Sequence, residues 1–243
     1  AECSSAHSLK HSSGPVASSA RFFMGKHKSA ADAAGRVKAM HDVGEEILKA
    51  LECAKNGQVL EECIWENETI PRDMGALRFE RCVFRRCVFD ALSAQKSEWI
   101  DCVFEHCTFL MADWQDAFFR RCRWASCRLN GSTFANACLE EVQFEACAAR
   151  SAAWSQALLK RVSFQGCSLQ QAFLDGLKPK SRWTVTECDL TEVDFAKTAL
   201  SGQRLDTCVI DGLRIEGTEL RGAVVSPAQA CELAKLLGVV IRG

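Results

Sequence analysis

Residues 97–136 read SEWIDCVFEHCTFLMADWQDAFFRRCRWASCRLNGSTFAN, and in this stretch every fifth residue is large and apolar: Trp99, Phe104, Phe109, Trp114, Phe119, Trp124, Leu129 and Phe134. A compact residue stands two places before most of them, as at Cys102, Ala112, Ala117, Cys122 and Ser132. A helix repeats every 3.6 residues and a strand every 2, so a period of five fits neither. It fits a chain that turns a corner every five residues. Four such sides close a coil of twenty, and stacked coils set residue n over residue n−20 at about the 4.8 Å spacing of neighbouring strands. The large residue and the compact one then point inward, and the other three point out.

The same phase runs outward from this stretch, from Phe79 to Leu174, and resumes one residue later from Val185 to Val225. The slip falls around Lys178-Pro179-Lys180. The longer period is written most plainly by cysteine: Cys87, Cys107, Cys127, Cys147, Cys167, Cys188 and Cys208 are twenty residues apart, with one step of twenty-one. A recurrence of this length is a structural repeat. These thiols are therefore one wall of a stack and not a redox or metal centre. Phe84, Phe104, Trp124, Phe144, Phe164 and Val185 form a facing column of large side chains, and Trp114, Phe134, Trp154, Leu174, Phe195 and Ile215 form another. Large and compact groups alternating around each coil can fill a narrow core.

This pattern resembles the pentapeptide-repeat family over about residues 60–243. The resemblance implies an all-β solenoid, a right-handed quadrilateral β-helix. The chain uses Cys where the family commonly has Ala, and Phe or Trp where it has Leu. The expected organisation is a disordered leader over 1–28, a helical N-terminal cap over 29–57, the β-helix over 58–225, and a C-terminal helix with tail over 226–243. The leader is rich in Ser, Ala and His, and Ala33, Val37, Met40, Ile47, Leu48 and Leu51 have helical spacing. Ser226-Pro227-Ala228-Gln229 reads as a helix start with a capping box, and Gly238 as its stop.

Hydrophobic residues make up 48% of the 243 positions. No apolar run reaches 18 residues and no secretory signal is visible, so the expectation is a cytoplasmic protein without a membrane span, its fifteen cysteines reduced. No catalytic, cofactor or metal constellation is expected. His106 lies beside Cys102 and Cys107 in sequence, but the coil sends the thiols inward and the imidazole outward. Glu140-Glu141 falls on an outer surface. Arg81, Asp101, Arg121, Glu141 and Arg161 alternate in sign down one column, and Arg85 with Glu105 begins another, as stacking strands prefer. Arg120, Arg121, Arg123 and Arg128 are the one basic cluster, diluted by neighbouring acids. Residues 76–225 carry 19 Lys/Arg and 19 Asp/Glu, so direct nucleic-acid binding is not expected.

A contact surface is the remaining reading. Phe118, Cys138 and Leu158 share one outward column, and Phe173 points out on another face; these are the candidate partner contacts. The run from Leu213-Arg214-Ile215-Glu216-Gly217 through Gln229-Ala230 to Leu237-Gly238-Val239 resembles the C-terminal end of the Qnr quinolone-resistance proteins. That resemblance implies a homodimer through Leu233, Leu237, Val239 and Ile241, and DNA gyrase or topoisomerase IV as partner. The rival reading is a scaffold, adaptor or effector of a bacterial secretion system, using the rod as binding surface or spacer.

Overall fold

The structure is a computed structural model that describes residues 59–70, 74, 76–89, 91–236 and 238–242, all within one compact unit. The expected leader and N-terminal helix lie outside the described residues.

The described chain is a parallel β-solenoid with four walls. One wall is a seven-stranded sheet of β1 (Leu60–Glu61), β3 (Arg78–Glu80), β5 (Glu98–Ile100), β7 (Phe118–Arg120), β9 (Cys138–Glu140), β11 (Leu158–Lys160) and β13 (Lys178–Pro179). A second is β2 (Ile64–Glu66), β4 (Val83–Arg85), β6 (Val103–Glu105), β8 (Arg123–Ala125), β10 (Gln143–Glu145), β12 (Val162–Gln165) and β14 (Trp183–Thr186). The other two walls are ladders of single bridges. One runs from Thr69 through Thr108 and Ala148 to Val209, the other from Ser93 through Thr133 and Phe173 to Arg214. The register is twenty through the centre, as in Phe104↔Trp124 and Trp124↔Phe144.

Stacking makes the corners. One residue in each pentapeptide takes a left-handed backbone, among them Arg121 (φ 52°), Ser126 (φ 52°) and Ala146 (φ 50°). A residue with a Cβ costs about 1–2 kcal/mol in that conformation. The next coil holds it there: the amides of Arg121, Ser126 and Ala146 donate to the carbonyls of Glu140, Glu145 and Gln165 at 2.8–2.9 Å. Inside, the rings stack in register. Phe79 lies on Trp99 at 4.0 Å, Phe104 on Trp124 at 4.0 Å, and Phe134 on Trp154 at 5.2 Å between centroids. Such pairs add about 0.5–1.5 kcal/mol each beyond their burial.

The thiols fill the compact columns and bond to the backbone. Cys127 Sγ lies 3.4 Å from the carbonyl of Phe104 in the coil before and 3.5 Å from that of Ala125 in its own. Cys107, Cys147 and Cys167 repeat the arrangement. Cys63, Cys82, Cys102 and Cys122 make a second, shorter column, which Val142, Val162 and Trp183 continue. The cysteines of both columns are free thiols. Burial pushes the Cys102 and Cys127 thiols well above the usual range, which keeps them protonated.

Two slips interrupt the register. The one at Lys178–Lys180 is where the sequence places it: Leu159 pairs with Pro179, but Phe164 pairs with Val185, twenty-one residues on. The other was not read from the sequence. Leu60, Trp65 and Ile70 are buried and belong to an earlier coil, paired at nineteen residues through Leu60↔Phe79 and Trp65↔Phe84. A coil one residue short hides the phase from a count that starts at Phe79.

The C-terminal end is sealed by α1 (Pro227–Leu236). Ser226 N donates to Gln229 Oε1 at 2.8 Å and Gln229 N donates to Ser226 Oγ at 3.2 Å, the expected capping box. Gln229 Nε2 then donates to the carbonyls of Leu205 (2.9 Å) and Cys208 (2.8 Å), which fastens the helix to the last coils. Leu233 is buried against the core. Gly238 (φ 80°) closes the helix, with its amide on Lys235 O and that of Val239 on Ala234 O.

Candidate functional site

Side chains at the first and third positions of each strand in the first wall face outward. The first-position column reads Arg78, Glu98, Phe118, Cys138, Leu158, Lys178, and the register sets these residues one above another. The candidate contacts Phe118, Cys138 and Leu158 are therefore adjacent. Phe118 and Leu158 are half-buried, and Cys138 between them is buried. Ile100, in the third-position column beside Phe118, extends the apolar area although it too is largely covered. Acid closes one end of the strip at Glu98 and a cation the other at Lys178. Phe173 is separate: it is 40% exposed on another wall, between Ala153 and Asp194.

Sequence reading missed a second outward apolar column. Ile64, Val83 and Val103 are stacked on the second wall, with Ile64 exposed and the two valines half-buried. The signal was present, since each stands immediately before a large inward residue, as Phe118 and Leu158 do.

The charged columns resolve into pairs. Arg121 makes a two-pronged contact with Asp101 at 2.6 and 2.7 Å, and Arg161 is paired with Glu141. Arg81 turns instead to Glu61 and Glu62. Arg85 bonds Glu105 at 2.9 Å, and Arg123 spans Glu105 and Glu145. Two of the four arginines in the basic cluster, Arg121 and Arg123, are thus neutralised. The guanidinium Nε of Arg120 is buried without a partner. Cys102 and Cys107 are buried and His106 is exposed, so these three do not face one another. No group of three metal-ligating side chains converges among the described residues, and no described helix is long and apolar enough to cross a membrane.

Of the C-terminal contact residues, Leu233 serves the cap, Val239 and Ile241 are 53% and 43% exposed, and Leu237 lies outside the described residues. Leu236 and Val240 add to the exposed apolar end. The sequence gives no sign of a cleft, but the walls are not everywhere closed. At the second slip a cleft of about 510 Å³ opens between Pro179–Trp183 and Ala199–Gln203.

Residues 97–174 match a protein family described as a pentapeptide repeat region. No curated protein matches the chain. Among solved structures, full-length QnrB1, a plasmid-mediated fluoroquinolone resistance protein, is 17% identical, covering 75% of this chain and 99% of its own, with a TM-score of 0.30. HetL, involved in heterocyst differentiation regulation in the cyanobacterium Nostoc sp. strain PCC 7120, is 14% identical over 68% of this chain and 88% of its own, with a TM-score of 0.25. Rfr23 from the cyanobacterium Cyanothece 51142 is 10% identical over 74% and 99%, also at 0.25.

Proposed function

We propose that this chain, a pentapeptide-repeat protein by its matched region and its coil, is a non-enzymatic binding rod that docks a protein partner on its first wall. The observation that carries the reading is the apolar column Phe118–Cys138–Leu158, set in a parallel sheet where Arg78 is paired with Glu80 and Lys160 with Glu140. A face of this kind gives shape and apolar contact to a protein and offers little to a polyanion. The partner we name is DNA gyrase or topoisomerase IV, on the likeness of the Leu213–Val239 run to the Qnr C-terminus. A second copy of the chain would join through Val239 and Ile241.

The neutral balance of residues 76–225 favours one competing reading, a scaffold, adaptor or secreted effector whose partner is not a DNA-binding groove. A supercoiling assay separates the two. Purified gyrase and topoisomerase IV are run with a fluoroquinolone and the protein in excess, alongside Phe118→Glu and Leu158→Glu. Protection or inhibition that both variants abolish supports the topoisomerase reading. No effect from the unaltered protein removes it. An effect that survives both variants removes the strip as the site.

A further inference from the structure

Beyond the apolar strip the stack is interrupted. Both sheets end in the same coil, at Lys178–Pro179 and Trp183–Thr186, while the two bridge ladders run on through Asp189↔Val209 and Asp194↔Arg214. No backbone hydrogen bond joins Lys178–Lys180 to Ala199–Ser201. The regular pattern would send the amides of Ala199 and Ser201 to the carbonyls of the coil before, as Lys178 N does to Ala157 O and Lys180 N to Leu159 O. Here those amides, and the carbonyl of Pro179, have no hydrogen-bond partner among the described residues. The extra residue is the cause. It carries the backbone outward, so that Arg161 N is met by Ser181 Oγ at 3.1 Å instead of by a main-chain carbonyl. Pro179 is exposed in the column where Leu159 is buried, and Trp183 enters the core at a position that other coils give to Cys or Val. Gln203 seals the floor, with Val185 N donating to its Oε1 and its Nε2 donating to Trp183 O.

Charge adds to this. Along the central coils Arg85, Arg121, Arg123, Lys160 and Arg161 each have a carboxylate within 4 Å, whereas Arg120, Arg128 and Arg150 have none among the described residues. At the cleft every cation is of the second kind: Lys180 and Arg182 line it and Lys178 stands at its lip, all exposed and without an acidic partner among the described residues. No described carboxylate lines the cleft. Unbonded amides beside unpaired cations are what an anionic extended backbone requires: the main chain supplies edge hydrogen bonds, and the cations hold acidic side chains. The volume is that of an ordinary ligand pocket.

We infer that this cleft binds a short, extended, acidic peptide segment of a partner protein, its main chain on the Ala199 and Ser201 amides and its carboxylates on Lys180 and Arg182. The inference deepens the protein-binding reading but is tested apart from it, because Phe118 and Leu158 do not line the cleft.

The probe is a fluorescein-labelled five-residue peptide alternating glutamate and valine, titrated by anisotropy against the full chain. Its glutamine counterpart and inorganic phosphate serve as controls. The acidic peptide should bind, weaken at least tenfold in Lys180→Glu/Arg182→Glu, and weaken with added salt, while Phe118→Glu leaves it unchanged. Both lining residues are exposed, and circular dichroism confirms that the double variant stays folded. No binding, or equal binding of the glutamine peptide, overturns the inference. Full competition by millimolar phosphate overturns it as well, since the site would then recognise a bare anion and no main chain. Loss of binding in Phe118→Glu alone would assign the peptide to the strip.

Discussion

The middle coils and the last coils of this solenoid solve the same geometry with different chemistry. Around residues 97–174 the left-handed corners are mostly ordinary side chains, such as Arg121, Ser126, Ala146 and Gln156. Beyond residue 200 they are glycines: Gly202, Gly212, Gly217 and Gly222. The middle is filled by Trp and Phe rings over thiols, the end by Leu205, Ile210 and Leu213 with buried Gln203 and Glu219. Strands give way to single bridges and short 3-10 turns at Leu205–Thr207 and Thr218–Leu220. A middle corner has a coil on either side to hold its amide and its ring stack. Gly202 still has its amide held by Gly222 O, but the last corners, Gly212, Gly217 and Gly222, have a coil on one side only, so the strained backbone falls to a residue without a Cβ. Local conformation is set here by the number of neighbours, as expected for a structure that is nearly one-dimensional.

The contrast is best broken at the core. Trp124 is fully buried and meets rings both above and below, so Trp124→Ala should cost about 3–5 kcal/mol in urea unfolding. Ile210→Ala, at 5% exposure in an outer coil, should cost about 2 kcal/mol. Equal losses would mean that the two ends share one stability. Corners give a smaller effect, and an unequal one. Gly212→Ala places a Cβ 3.3 Å from Glu192 Cγ at φ 66° and should destabilise by about 1 kcal/mol. Ala146→Gly exchanges left-handed strain for chain entropy and should stay within about 0.5 kcal/mol of the unaltered protein. A cost at Ala146 as large as that at Gly212 would show that neighbours do not hold the corner.

The smallest effect is a pH dependence confined to the end. Among the described residues Glu219 is the one buried carboxylate. Burial works to raise its pKa, but backbone amides, including Lys197 N at 3.0 Å and Glu216 N at 3.1 Å, outweigh it and hold the group below the usual glutamate range. Its folded pKa is thus depressed. The stability it lends is present above the unfolded pKa and is lost as pH falls through the folded one. Hydrogen-exchange protection at Lys197 and Glu216, relative to the intrinsic rate at each pH, should fall at acid pH, while amides near Trp124 keep theirs. Glu219→Gln should remove the acid-dependent part. The same loss of protection in the middle coils would point to a global transition.

The coil was legible in the sequence because side-chain size at inward positions is nearly binary. Phe104, Trp124 and Phe144 alternate with Cys102, Cys122 and Val142, and nothing outside the stack competes for those places. The β-helix bounds took in the first coil, but its phase was hidden because Leu60, Trp65 and Ile70 are one residue out of step with Phe79. Outward positions carry a weaker signal. Phe118 and Leu158 stand out by size, whereas Val83 and Val103 do not. The burial of Cys138 depends on its flanking side chains and not on its own identity. The cleft could not be read at all. The extra residue near Lys180 was visible, but which wall would open depends on where the main-chain bonds fail.

Seen as a crystal in one dimension, the rod carries a stacking fault. One added residue at Lys178–Arg182 acts as an edge dislocation: two adjacent rows of the lattice terminate at β13 and β14, and the two bridge ladders pass the defect. Such a fault cannot anneal by sliding, because any shift that healed the broken rows would throw the other two out of register and turn their buried side chains to solvent. Its address along the axis is therefore as permanent as the covalent sequence, one lattice spacing beyond Leu158. Whole periods of twenty could be added or removed on either side without moving the fault relative to the strip.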